Sequence, residues 1–204
     1  MKSISIIGSG GMTRSSINLL KSRFPDEKMY IFDESYSDNF KENIHDIKLI
    51  GNLDSVKSDD PVFLSMGDNL KRSNYFSLFK QLVIKENLFH QSSLVEKNCN
   101  FGVANQIYAY VYINSYCKIG DNNVINTKSV IEHEVILGSH NYVSIGALIA
   151  GRVTIGSNCY IGAGSVILEN IRICDNVTVG AGSVVTKNID YPGSYVGIPA
   201  RMVV

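Results

Sequence analysis

Fourteen aliphatic residues fall at six-residue intervals in the second half of the chain: Ile107, Ile113, Ile119, Ile125, Ile131, Leu137, Val143, Ile149, Ile155, Ile161, Ile167, Ile173, Val179 and Val185. Neither the 3.6-residue helical period nor the alternation of a half-buried strand produces this spacing. A hexapeptide period marks a parallel β-helix: each hexad makes one flat side of a triangular coil, and three make a turn of about 18 residues. One aliphatic per side points inward and stacks on its counterpart a coil away. A single coil cannot bury its apolar face alone, so coils stack into a solenoid. The place after each aliphatic is often small or polar (Gly120, Asn126, Gly138, Ser144, Gly156, Gly162, Gly180), which lets the chain turn the corners. The fourth place holds small or β-branched residues such as Ser129, Val135, Ala147, Cys159, Ser165 and Ser183. Residues 92–106 carry weaker repeats and begin the prism.

The first 85 residues follow a different grammar. SISIIG, KMYIFD and PVFLSMGD read as strands; SSINLLKSRF and NLKRSNYFSLFKQLV read as helices. Strands alternating with helices predict a small parallel α/β sheet. The expected organisation is therefore a Rossmann-like α/β domain over 1–85, followed by a β-helix domain with a C-terminal cap over 86–204.

Composition removes several classes. Nineteen Lys+Arg balance nineteen Asp+Glu, which gives no polyanion-binding surface and no nucleic-acid partner. No apolar run approaches a membrane span, and the N-terminus lacks a signal-peptide pattern. The four cysteines form no CxxC pair, so reduced thiols and a cytoplasmic location are expected.

Within SVIEHEVILG (129–138), Ile131 and Leu137 are assigned to the interior, which leaves His133 on the outer wall near a corner, where packing gives it no purpose. It is either a surface histidine or a general base, and Glu134 beside it is placed to orient the ring. Glu132 is read as structural. Cys117 and Cys159 occupy the small fourth place of their hexads and are read as packing residues rather than nucleophiles. Flat coils expose backbone amides at their edges, and Gly151, Gly162, Ala163, Gly164, Gly180, Ala181 and Gly182 form a ladder that keeps the wall unobstructed. In IIGSGGMTRSS, a strand, a glycine turn and a helix start make a phosphate cradle. Gly8, Gly10 and Gly11 allow close approach of a nucleotide diphosphate. The dinucleotide pattern would need glycine at Thr13, so NAD is weakly supported. Asp33 and Glu34 follow the second strand, in reach of a base or ribose. Gly67, Asp68 and Asn69 end a later strand, at the edge where α/β sheets bind ligands.

IIGSGG, SMGDNLKR, NTKSVIEHE, IAGRVTIGSNCYIGAGSVI, VGAGSVVTKN and VGIPAR together resemble the left-handed β-helix sugar acetyltransferases that carry an N-terminal nucleotide-binding domain. The bacillosamine-pathway UDP-4-amino-sugar N-acetyltransferases and the sialic acid O-acetyltransferases share this architecture. The resemblance implies a left-handed coil and His133 as the general base. It implies acetyl-CoA as cosubstrate, its pantetheine arm in a groove between subunits of a homotrimer, and an oxyanion donor near Gly146. It implies Asn126 near the sugar and a nucleotide-linked amino sugar as acceptor, for surface glycan (lipopolysaccharide or O-antigen) synthesis. Lys187 and Arg201 either meet CoA phosphates or are ordinary surface charge. A carbonic-anhydrase-like prism would need three zinc-binding histidines, whereas only His133 and His140 lie in the prism and His90 precedes it, so no metal is expected. Two departures bear on the acceptor: Met12 and Tyr142 stand where relatives carry histidine. Two other functions stay open, an O-acetyltransferase of a sialic-acid-like sugar and a non-catalytic, trimeric nucleotide-sugar-binding scaffold.

Overall fold

The computed structural model describes residues 3–37 and 43–203. The chain forms two compact units, Met1–Lys85 and Glu86–Val204.

In the first unit, strands β1 (Ser3–Ile7), β2 (Lys28–Phe32), β3 (Asn43–Ile44), β4 (Ile47–Gly51) and β5 (Val62–Leu64) form one sheet in the order β3-β4-β2-β1-β5. β1, β2, β4 and β5 run parallel, and β3 is added antiparallel to β4. The sheet is therefore mixed, with an antiparallel edge that the strand signals did not announce. Helix α1 (Gly11–Arg23) begins directly at the glycine turn and buries Ile17, Leu19 and Leu20. Helix α2 (Asn69–Leu78) ends sooner than the apolar pattern suggests and leaves Leu70 and Leu78 exposed. The chain then turns back to bridge Val83 to Val62.

The second unit is a parallel β-helix with three faces. The first face stacks Leu94–Val95, Tyr112–Ile113, Val130–Ile131, Leu148–Ile149, Val166–Ile167 and Val184–Val185. The second runs from Asn100–Phe101 to Arg172–Ile173. The third begins at Leu88–Phe89 and ends in the cap strands Gly193–Val196 and Arg201–Val203. Partners on adjacent coils are 18 residues apart, as in Ile113↔Ile131↔Ile149. All fourteen hexad aliphatics are buried, none more than 3% exposed.

The corners rest on two devices. Glycine at the place after the inward aliphatic permits close stacking of coils: a Cβ on Gly138 would lie 2.6 Å from the Gly156 carbonyl oxygen. The chain direction changes two residues later, where a left-handed residue recurs every six positions from Asn98 to Gly182, including Glu134 (φ 61°) and Arg152 (φ 60°). The corner between the second and third faces is closed internally by an amide ladder. Asn87, Asn105, Asn123 and Asn141 each present Oδ1 to the backbone N–H of the residue one coil on, at 2.7–2.9 Å. These side chains satisfy amides that the turn strands away from the sheet ladder.

Candidate functional site

His133 lies on the corner between the first and second faces, with its side chain 39% exposed. Its Nδ1 stands 3.0 Å from Glu134 Oε2. The hydrogen bond with His133 holds the Glu134 carboxyl below the usual carboxylate range; slight desolvation opposes this and Arg152 adds to it. An ionised carboxylate only accepts, so in the neutral ring the proton sits on Nδ1 and the lone pair on Nε2. That is the tautomer a general base needs when its second nitrogen faces the reactants.

The next coil supplies the floor and a clamp. A Cβ on Gly151 would lie 2.6 Å from both Cε1 and Nε2 of His133, so the imidazole rests against the bare Cα of this glycine. Gly151, expected in the cofactor ladder, thus stands on the histidine's corner and seats the ring. Arg152 donates Nε to Glu134 Oε2 at 3.0 Å, and its backbone N–H donates to the His133 carbonyl at 2.9 Å. Arg152 was not singled out from the sequence. The available signal was register, since 134 and 152 differ by one coil. Register also explains Glu132, whose Oε2 accepts from Asn114 Nδ2 at 2.7 Å within the wall.

The remaining ladder lies on the other edge of the first face. Gly146, Gly164 and Gly182 occupy its left-handed corner positions (φ 65°, 62° and 66°), and an added Cβ would meet nothing within 4 Å. The space beside this column is open, as an extended pantetheine chain requires. The Gly146 N–H is spent on the Thr127 carbonyl at 3.0 Å, and Gly164 and Gly182 repeat that bond to Ile145 and Ala163. The donors left at this edge are the amides of Ile145, Ala163 and Ala181, which have no hydrogen-bond partner among the described residues. Within the stretch expected to supply an oxyanion donor near Gly146, the uncommitted amide is that of Ile145 and not of Gly146. Gly162 and Gly180 act through packing: a Cβ there would strike the Ala181 amide at 2.6 Å and Val196 Cγ1 at 2.7 Å.

Asn126 lies on this second edge, at the end of the first face opposite His133. Its Nδ2 donates to the Tyr142 hydroxyl at 2.8 Å and its Oδ1 accepts the Thr127 N–H at 2.7 Å. Tyr142 stacks on Tyr160 with centroids 5.3 Å apart. Lys187 and Arg201 share a cleft of about 280 Å³ at the C-terminal end, with Tyr195 and Met202 in its wall. Burial pushes the Cys117 thiol up to about 12 and the Cys159 thiol up to about 11, so neither supplies a thiolate at neutral pH.

In the first unit, Gly8 is a close approach: its φ is 108°, and a Cβ would lie 2.5 Å from the Ser65 carbonyl oxygen. Gly10 and Gly11 open onto unobstructed space, as a phosphate cradle requires. Thr13, at the place of a third glycine, is buried and donates its hydroxyl to the Gly8 carbonyl at 2.7 Å, which ties the turn to the helix. Asp33 is committed internally. Oδ2 takes the Ser9 N–H and hydroxyl at 2.6 and 2.9 Å, and Oδ1 takes those of Ser35 at 2.9 and 2.6 Å. Burial opposes its ionisation, but these four donors together hold it below the ordinary aspartate value. Glu34 receives Lys71 Nζ at 3.0 Å and the Tyr75 hydroxyl. Asp68 caps α2 by accepting the Lys71 N–H at 2.9 Å. Asn69 Oδ1 accepts from Arg72, which is fully buried and also donates to the Met66 carbonyl, so the loop around Gly67 is anchored from within.

The bacterial transferase hexapeptide (six repeats) family model matches residues 134–168 and 152–187. No curated protein matches the chain. Among solved structures, PerB from Caulobacter crescentus, in complex with CoA and GDP-perosamine, is 25% identical with a TM-score of 0.89 over 100% of this chain and 98% of its own. WeeI from Acinetobacter baumannii is 22% identical (TM-score 0.90), and the acetyltransferase domain of PglB from Neisseria gonorrhoeae is 20% identical (TM-score 0.89). Each of these two matches covers 100% of both chains.

Proposed function

We propose that this chain, an acetyl-CoA-dependent acyltransferase built from the bacterial transferase hexapeptide repeat, acetylates the 4-amino group of a nucleotide-linked amino sugar in the cytoplasm, for surface glycan synthesis. The observation that carries the reading is the His133–Glu134 pair seated on Gly151, which leaves Nε2 as the acceptor of a proton. The amine nitrogen attacks the thioester carbonyl carbon. As the C–N bond forms, the amine proton passes to His133 Nε2. Collapse of the tetrahedral intermediate breaks the C–S bond, and the imidazolium returns the proton to the departing CoA sulfur. A wall amide beside Gly146, at Ile145 or its coil counterparts, is the donor proposed for the oxyanion.

The reading includes a homotrimer. The outward residues of the first face are Leu94, Tyr112, Val130, Leu148, Val166 and Val184, an apolar stripe with Leu94 57% and Leu148 44% exposed. Such a stripe supports burial against further copies. His133 and the Gly146 column stand at opposite edges of this face, so one copy's base and another's amide column are brought together only by assembly. The acyl arm then lies along Gly164 and Gly182, with Lys187 and Arg201 at the phosphate end. In the first unit, the turn at Gly8, Gly10 and Gly11 is the proposed nucleotide diphosphate site. Similarity to PerB, solved with GDP-perosamine, makes a GDP sugar as reasonable an acceptor as the UDP or dTDP sugars.

The test is thioester cleavage by purified protein against UDP-, dTDP- and GDP-linked 4-amino sugars beside free sialic acid. Transfer to an amino sugar, lost in His133→Ala with the assembly intact, is the expected result. Full turnover in that variant removes His133 as base. Transfer only to sialic acid makes the enzyme an O-acetyltransferase, and no cleavage with any acceptor leaves a binding scaffold.

A further inference from the structure

The corner that carries His133 holds a group the reaction above leaves unused. Arg152 Nε and His133 Nδ1 meet the same Glu134 oxygen, Oε2, each at 3.0 Å. The arginine is fixed at its base, because its N–H bonds the His133 carbonyl, and its Nη1 lies 4.0 Å from Glu169 Oε1 in the following coil. Glu134 and Arg152 are both left-handed corner residues, stacked one coil apart. Glu134 is about half exposed, with 47% of its side chain accessible. A single hydrogen bond to the adjacent ring does not keep such a carboxylate out of bulk water, and exposed pairs of this kind hold geometry weakly. A guanidinium anchored to a neighbouring coil adds a directional second bond. The other acid on this corner, Glu132, accepts from Asn114 Nδ2 at 2.7 Å through Oε2, whereas Glu134 Oε2 is the acceptor at His133 Nδ1.

We propose that Arg152 is a positioning residue: it pins Glu134 Oε2 beside His133 Nδ1, so that the neutral imidazole is held as one tautomer with Nε2 free to accept a proton. The inference rests on His133 being the base. Its physical content lies in the ring itself. A neutral imidazole with a loose partner shares its proton between both nitrogens, and the fraction carrying Nε2–H is useless as a base. Arg152 enlarges the competent fraction without touching a reactant. Gly151 and Arg152 then form one seat, the first setting where the ring lies and the second which nitrogen is protonated.

The test is ¹⁵N NMR of the histidine rings at a pH well above the imidazole titration range, in wild type, Arg152→Gln, Arg152→Lys and Glu134→Gln. Four histidines keep the spectrum simple, and His133 is assigned by its loss in His133→Ala. Wild type should show His133 protonated on Nδ1. Arg152→Gln should show a mixture of both tautomers, and Arg152→Lys, which keeps a cation near Glu134, should recover most of the wild-type pattern. A structural role alone would change thermal stability but not the ring. Retention of the wild-type tautomer in Arg152→Gln overturns the proposal. The two readings fail separately: an active His133→Ala removes the base, whereas an inactive His133→Ala with an unchanged ring in Arg152→Gln removes only the clamp.

Discussion

Gly151→Ala is the sharpest single-atom test of the histidine's seat. The added Cβ would lie 2.6 Å from His133 Cε1 and Nε2. Carbon atoms in contact settle at about 3.5–4.0 Å, so the ring must retreat by roughly 1 Å. A misplacement of that size costs about 100-fold in a reaction that depends on near-attack geometry. Stability should not fall with it. Gly151 does not have a left-handed φ, and alanine removes conformational freedom from the unfolded chain, which is worth about 0.4–1 kcal/mol where the backbone tolerates it. The collision is with a half-exposed ring able to swing outward. Gly138→Ala is the matched contrast: its Cβ would meet the Gly156 carbonyl oxygen at 2.6 Å, and backbone cannot swing away. Steady-state acetyl transfer and thermal denaturation on both variants separate the effects. Gly151→Ala should lose kcat and keep its Tm, whereas Gly138→Ala should lose Tm. A Gly151→Ala enzyme with wild-type kcat would refute the argument that this glycine places the base.

The amide ladder predicts that Asn123→Ala costs about 1–3 kcal/mol in urea denaturation, because the buried Asn141 N–H loses its Asn123 Oδ1 acceptor inside the prism; a loss below about 0.5 kcal/mol, within the ordinary scatter of surface substitutions, would make the ladder incidental. Asp33 is held below its ordinary value, so it adds stability above the unfolded aspartate range, near pH 4, and loses that contribution as pH falls through its folded value. Asp33→Asn should therefore be less stable than wild type at pH 7, with the gap closing toward pH 2; a gap independent of pH counts against the ionised carboxylate as the anchor of Ser9. Cys117→Ser and Cys159→Ser should keep acetyl transfer within a few-fold, since burial leaves both thiols protonated; abolished turnover in a folded variant would point to a covalent intermediate.

The inward frame was legible because each face admits one aliphatic per coil, and nothing else survives there: Ile131 and Leu137 are 0% and 1% exposed. That frame alone placed His133 outside. The left-handed corner residue was not legible. Asn, Ala, Tyr, Lys, Glu, His, Arg and Gly all occupy it, because stacking on both sides fixes the backbone whatever the side chain. The β3–β4 hairpin escaped for a related reason. Ile44 pairs with Ile47 across His45 and Asp46, both at positive φ, without the glycine that usually announces such a turn. Asp33 was visible as an acid after a strand, but its use depended on Ser9 and Ser35, two small hydroxyl residues that carry no signal of their own.

The solenoid also explains why the proposed base is built from two short pairs rather than from residues scattered through a fold. A corner repeats every 18 residues, so His133–Glu134 and Gly151–Arg152 stack with their backbones already joined, Arg152 N–H to His133 carbonyl. The entropic cost of bringing the four residues together is met by coil stacking, which the inward aliphatics drive without reference to chemistry. Corner side chains are then free to vary, from Asn and Tyr to Lys, Glu and Arg, while the core holds the frame. Function in such a chain is therefore read by stepping from a candidate residue to the one a coil away. For His133 that step lands on the glycine that seats its ring, and for Glu134 on the arginine that shares its oxygen.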